Sequence, residues 1–168
     1  MFLKRLLEDG GVDMGFLAKR KAKILLDEGI ELHRGGRLEA AEMKYVESLS
    51  YDPNNAATHV NYGDLLKQTR RLKAAEIEYN KAMIMDPDIG DPHASLGALY
   101  HSQSRYEEAE REYEKALSYD PGNINVKLNL AQLYMDTVRF TQMRKIYEGL
   151  LPHVKDPRLR ALIEDRLR

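Results

Sequence analysis

Small and apolar residues return along this chain every 34 positions. Gly29, Gly63 and Gly97 keep that spacing, with Ala131 next in line, and so do Ala41, Ala75 and Ala109. Tyr45, Tyr79, Tyr113 and Tyr147 move in the same register, as do Asp52-Pro53, Asp86-Pro87 and Asp120-Pro121. A fixed period of this size is the mark of stacked helical repeats. Each period holds two helix-length stretches separated by turn formers. The expected helices are 13–34, 38–51, 56–69, 72–85, 90–103, 106–119, 124–137, 140–152 and 157–167. Gly35-Gly36 supplies a left-handed residue between the first two helices. Thr69-Arg70-Arg71, Gln103-Ser104-Arg105 and Thr137-Val138-Arg139 are the equivalent turns. The Gly of the first helix is expected to face the Ala of the second, so that small side chains let the backbones approach. The Tyr one turn further on then fills the next layer. One pair cannot bury its apolar face alone, so neighbours must stack.

These landmarks resemble the tetratricopeptide repeat, whose pattern is Trp-x2-Leu-Gly-x2-Tyr, then Ala-x3-Phe, then Pro. The third unit reads His93-x2-Leu96-Gly97-x2-Tyr100, then Ala109-x3-Tyr113, Ala116 and Pro121. The second has Tyr62-Gly63-x2-Leu66, Ala75-x3-Tyr79, Ala82 and Pro87, and the first has Gly29, Leu32, Ala41, Tyr45 and Pro53, with Ser48 where Ala is usual. The resemblance covers residues 22–157. It implies an all-α, right-handed superhelix of four helix pairs, at 22–55, 56–89, 90–123 and 124–157, forming a single domain over 1–168. A segment 1–21 precedes the repeats and a capping helix 158–168 follows them. The fourth unit departs from the pattern through Ala131 and Met143, as terminal repeats do. Leu159, Leu162, Ile163 and Leu167 share one face of the last helix, as a cap requires. At the other end Phe2, Leu3, Leu6 and Leu7 make an apolar stripe broken by Gly10-Gly11, and Asp13 is placed to cap the next helix. That stripe could dock on the first repeat, meet a partner or second copy, or lie on a membrane surface.

Charge and composition narrow the function. Charged residues make up 32% and apolar ones 43%, which excludes a disordered tail. There is no Cys, so neither a disulfide framework nor a thiolate metal site is available. No apolar run approaches the roughly 18 residues of a membrane span, and the start of the chain is too charged for a signal peptide. The protein is therefore expected in the cytoplasm. The net charge of −1 hides a basic start, an acidic centre and a basic end. No contiguous basic stripe for a phosphate backbone results, which argues against nucleic acid.

Catalytic chemistry is not indicated. His59 and His93 occupy equivalent places, where packing is the expected role. Stacked equivalents lie on the order of 9 Å or more apart, too far to share one zinc. No phosphate loop, nucleophile elbow or His-Glu-x-x-His occurs. The run Glu107-Glu108-x-Glu110-x-Glu112-x-Glu114 reads as a solvated helix face, and the scattered Met fit packing. No cofactor or metal is called for.

The resemblance implies that the first helix of each pair lines a groove. Its residues would be Lys23, Leu26, Asp27, Ile30 and His33 in the first repeat, and Val60, Asn61, Asp64 and Lys67 in the second. Asp91, Ser95 and His101 follow in the third, and Asn125, Leu128, Asn129 and Gln132 in the fourth. The family's carboxylate clamp uses two Lys, two Asn and an Arg. Those places hold Leu26, Ile30, Asn61, Asp91 and Ser95, so no such clamp is expected. A closer likeness is an asparagine ladder that binds the backbone of an extended peptide, with Asp27, Asn61, Ser95 and Asn129 at its places; an amide can donate and accept at once. The expected function is a non-enzymatic scaffold or adaptor for a partner segment, with apolar anchors at Leu26, Val60, Leu128 and Met135. The alternatives are a chaperone for exported proteins and an accessory subunit of an enzyme complex.

Overall fold

The computed structural model describes residues 13–87 and 91–168, without the side chain of Asp91. Nine helices occupy the described residues, and no strand occurs among them: α1 Met14–Arg34, α2 Leu38–Tyr51, α3 Ala56–Gln68, α4 Leu72–Met85, α5 Asp91–Ser102, α6 Tyr106–Tyr119, α7 Ile124–Asp136, α8 Phe140–Leu150 and α9 Pro157–Leu167. The boundaries lie within two residues of those expected from the sequence. The apolar stripe at Phe2, Leu3, Leu6 and Leu7 lies outside the described residues. Residues 14–21, set apart above as part of an extension, are the first turns of α1.

The chain divides into two compact units, Met1–Pro87 and Asp88–Arg168. In the first, α1 pairs with α2 and α3 with α4, and α2 packs on α3. In the second, α5 pairs with α6 and α7 with α8; α6 packs on α7, and α9 on α8.

Local chemistry explains the helix ends. Asp13, Asn55, Asn123 and Asp156 cap α1, α3, α7 and α9, each accepting from a backbone N–H of the first turn at 2.9–3.1 Å. Asp52, Asp86 and Asp120 close α2, α4 and α6, which puts each following proline just outside the helix as expected. The turns inside the four pairs share one left-handed residue, at Gly36 (φ 73°), Arg70 (63°), Ser104 (59°) and Val138 (60°). Only the first position carries the residue that adopts this conformation without steric cost.

The expected facing of Gly and Ala is corrected by the structure. A Cβ added to Gly29, Gly63 or Gly97 would meet a carbon of the Tyr45, Tyr79 or Tyr113 ring at 2.5–2.6 Å. The glycine is small because a tyrosine ring from the paired helix packs directly against it. Those rings are at most 1% exposed, and burial pushes the Tyr45 hydroxyl up to about 12 and the Tyr113 hydroxyl higher still. Ala41, Ala75 and Ala109, fully buried, sit one turn before the rings.

Ser48, where the family usually has Ala, is also fully buried. Its hydroxyl donates to the Ala22 carbonyl of α1 at 2.8 Å and lies 3.2 Å from Thr58 Oγ1 of α3, so one side chain joins three helices. At the other end, α9 buries Ile163 completely and is tied to α8 by Arg144, which donates to the Leu167 carbonyl at 2.8 Å. Leu162 departs from the expected cap face: it is 52% exposed.

Candidate functional site

In the first unit α1 and α3 lie side by side and frame a concavity of about 300 Å³ lined by Ile30, His33, Arg34, Tyr45, Asn61 and Gln68. Its polar edge is organised. His33 Nε2 lies 2.7 Å from Gln68 Oε1, and the Tyr45 hydroxyl lies 3.3 Å from His33 Nδ1. The second unit repeats the first of these links at the same register, with His101 Nε2 2.8 Å from Asp136 Oδ2. Gln132 donates to the other oxygen of Asp136 at 2.7 Å. These histidines thus tie one first helix to the next.

The remaining groove positions behave in different ways. Leu26 and Val60 are 7% and 8% exposed. Leu26 packs with Ala41, Tyr45 and Leu65, so these two are core residues and offer a partner almost nothing. Ile30 and Leu128 are half-buried and keep apolar surface open. Asn61 turns its amide N–H back to the Ala57 carbonyl at 2.8 Å and lines the concavity. Asn129 and Asn125 are exposed, as are Lys23 and Asp27. Asp64 accepts from the Tyr79 hydroxyl at 2.7 Å and from Lys67 at 3.3 Å, so both groove charges of α3 are already engaged. Ser95 is half-buried on α5; the side chain of Asp91 lies outside the described residues.

Three sets of polar residues were not anticipated. The first is a pair of buried His–Glu contacts. His59, 4% exposed, places Nδ1 2.6 Å from Glu78 and Nε2 3.0 Å from the Pro53 carbonyl. His93, 8% exposed, makes the same 2.6 Å contact with Glu112 and stacks on Tyr119. Lys81 and Lys115 hold the outer oxygens of these glutamates at 2.8 and 3.0 Å. The packing role expected for the histidines is met, and each has its own carboxylate. The signal was a Glu 19 residues after each His. The second set corrects the reading of the Glu107–Glu114 run: Glu110 and Glu112 keep side-chain exposures of 19% and 14%, so that face is only partly solvated.

The third set joins successive pairs. Arg71 forks onto Glu42 with both contacts at 2.7 Å, and Tyr62 donates to the same carboxylate at 3.0 Å. Arg139 forks onto Glu110, where Tyr134 also donates, at 2.8 Å. The Arg hydrogen bonds hold both carboxyls below their ordinary range, against the opposing effect of burial. Arg37, Arg71, Arg105 and Arg139 share the 34-residue register, and each carboxylate stands 29 residues before its Arg. Among the described residues no group of three or more His, Asp or Glu is placed to hold a metal ion, and no helix is long and apolar enough to cross a membrane.

Antiparallel helix pairs, stacked at a constant register and locked by a glycine under a tyrosine ring, define an all-α repeat protein of the solenoid type. The sequence profile of the tetratricopeptide repeat matches residues 26–92 and again 100–165, and the chain belongs to that family. Solved structures agree on the fold. The Pseudomonas aeruginosa pilF structure superposes with a TM-score of 0.81 at 22% identity, over 89% of this chain and 68% of that one. A tetratricopeptide repeat protein from Parabacteroides merdae gives 0.72 at 20% identity, over 98% and 64%. The first repeat domain of Spaghetti (RPAP3), solved with the HSP90 peptide SRMEEVD, gives 0.68 at 22% identity, over 71% and 98%. No curated protein sequence matches the chain. A fold of this family implies a scaffold for protein–protein interaction.

Proposed function

We propose that this chain is a non-enzymatic adaptor that holds an extended peptide segment of a partner protein on the first-helix faces of its repeats. The observation that carries the reading is the α1–α3 concavity. An apolar floor at Ile30 is rimmed by the side-chain amides of Asn61 and Gln68 and by the Arg34 guanidinium. Few polar groups around an apolar floor are what a peptide site needs: the floor takes a side chain and the amides take backbone groups. The Spaghetti (RPAP3) domain, of the same fold, holds a peptide. The recognition differs from a carboxylate clamp, because Leu26 and Ile30 stand where that clamp has charged or amide side chains. In the first unit Asn61 is the group assigned to the peptide backbone; Asn129 holds the equivalent register in the second.

A phage-displayed random peptide library, panned on the intact protein, tests the reading. Enriched peptides are then made with free and with amidated C-termini and titrated by fluorescence anisotropy. Asn61→Ala is expected to weaken them several-fold with the melting temperature unchanged, and Ile30→Glu at least tenfold, with some loss of stability because Ile30 also packs against the core. Loss of binding on amidation would replace backbone recognition by carboxylate recognition. Equal binding to native and variant proteins, or no enrichment, would remove the site.

A further inference from the structure

The second helices of the first unit each turn one face outward, opposite the buried stripes Ala41–Tyr45–Ser48 and Ala75–Tyr79–Ala82. On α2 that face carries Glu39, Met43, Val46 and Ser50; on α4 the same register gives Lys73, Ile77, Asn80 and Ile84. All eight are exposed, and the apolar four are widely open: Met43 73%, Val46 51%, Ile77 56% and Ile84 74%. The two uncharged polar side chains are satisfied by their own helices. The Ser50 hydroxyl donates to the Glu47 carbonyl at 2.6 Å, and the Asn80 amide to the Glu76 carbonyl at 2.8 Å. The second unit shows what this register holds when it only meets water. There α6 has Glu107, Arg111, Glu114 and Ser118, and α8 has Thr141, Lys145 and Glu148. The apolar face is thus a feature of the first unit, and an open apolar face calls for a cover. Glu39 and Lys73 stand at one end of it, in the first turns of α2 and α4, and neither has an ion-pair partner among the described residues. Lys73 sits at the positive end of its helix dipole, where an approaching carboxylate is favourable.

We propose that a second copy of this chain covers the face, α2 of one copy lying against α4 of the other and α4 against α2. Successive second helices run in the same direction, so a two-fold axis parallel to them sets matching registers face to face. Glu39 then meets Lys73 of the second copy, Met43 meets its Ile77, and Ser50 meets its Ile84. Each contact occurs twice. Ser50 is small and its hydroxyl is turned back, which leaves room for the isoleucine. Charge selects this pairing over α2 against α2. That antiparallel contact would set Glu39 against Ser50 and Lys73 against Ile84, covering four charges with no partner. Charge also selects a second copy over a foreign protein, because the chain itself carries the opposite charge at the matching place. The interface is two contacts between helices of about 21 Å each. An interface so small is expected to be reversible, with a dissociation constant on the order of 10 µM. The first-helix faces stay open, and this assignment is independent of the peptide site between α1 and α3.

Sedimentation equilibrium of the full-length protein at low salt, from about 1 to about 300 µM, tests the proposal, and the native chain is expected to pass from monomer to dimer in that range. Ile77→Asp is expected to stay monomeric with an unchanged circular-dichroism spectrum, since its side chain is exposed in the single chain. Glu39→Lys and Lys73→Glu are each expected to weaken association at least fivefold, because each brings like charges together at both contacts. An equimolar mixture of these two variants is expected to recover the native dimer, because every contact then joins opposite charges again. A native chain that remains monomeric throughout overturns the proposal. Charge variants that associate like the native protein overturn it in favour of another face. A mixture that associates no better than its components overturns the α2-against-α4 pairing.

Discussion

In three of the four helix pairs a glycine lies under a fully packed tyrosine; in the fourth, Ala131 takes the glycine's register, Met143 the alanine's, and Tyr147 is 6% exposed. The difference shows what the glycine is for. Where the ring packs directly on the glycine, no Cβ fits. Where a methionine replaces the alanine one turn earlier, the same tyrosine tolerates a Cβ opposite it. The repeat landmark is thus a three-residue contact, and its members change together.

The largest expected effect breaks this contact. Gly63→Ala puts a Cβ 2.6 Å from the buried Tyr79 ring, which has nowhere to move. The gain in helix propensity is outweighed by overpacking, for a net loss of about 1–3 kcal/mol. Ala131→Gly, the reverse change in the fourth pair, relieves no clash and is expected to lose about 1 kcal/mol of helix propensity together with about 0.8 kcal/mol for the methyl of this fully buried residue. Chemical denaturation of the two variants side by side reads the comparison directly; a neutral Gly63→Ala would refute it.

A smaller effect asks whether the fourth pair is held by the same link as the second. Removing Glu110 strips Arg139 and Tyr134 of their shared acceptor, as removing Glu42 strips Arg71 and Tyr62. Each Glu→Ala variant is expected to lose about 1 kcal/mol, since the guanidiniums are more than a third exposed and partly screened. The pH dependence follows from the depressed carboxyls. The unfolded chain takes up its protons near the ordinary 4.5, before the folded chain does. The contribution is therefore complete at neutral pH and is lost as pH falls through the lower folded-state values. Denaturation midpoints of native and Glu→Ala chains should converge on acidification; a constant gap would contradict the link.

The smallest effect concerns the turns. Val138 is a β-branched residue in left-handed backbone where the first pair has Gly36, and its side chain is 69% exposed. Val138→Gly relieves the strain without losing packing and is expected to raise stability by about 0.5–1 kcal/mol, read from the melting temperature.

The fold was legible because its cues are local. Helix lengths, asparagine and aspartate caps and Asp-Pro stops all act within a few residues, and the 34-residue register multiplies each cue. What escaped was the pairing of one helix with another. Gly63 and Ala75 are both small, so spacing alone could not tell that the glycine belongs to Tyr79. The concave face was legible in outline only. Leu26 and Val60 share the register of the half-buried Ala94 and Leu128, yet they are closed, Leu26 by Ala41 and Tyr45 of α2. The glutamate run was read as one solvated face, but Glu110 and Glu112 flank the buried Ala109–Tyr113–Ala116 stripe on its two sides, where Arg139 and His93 make them partly buried partners.

The inter-helix polar links have a kinetic corollary. The longest side-chain bonds described within either unit, His33 to Gln68 and His101 to Asp136, enclose just 35 residues of chain. Closing loops so short costs little entropy, so ordering can begin at any adjacent pair and zip outward without a distant segment having to arrive first. Such a chain is expected to refold quickly, and to fray from its ends before it melts at its middle.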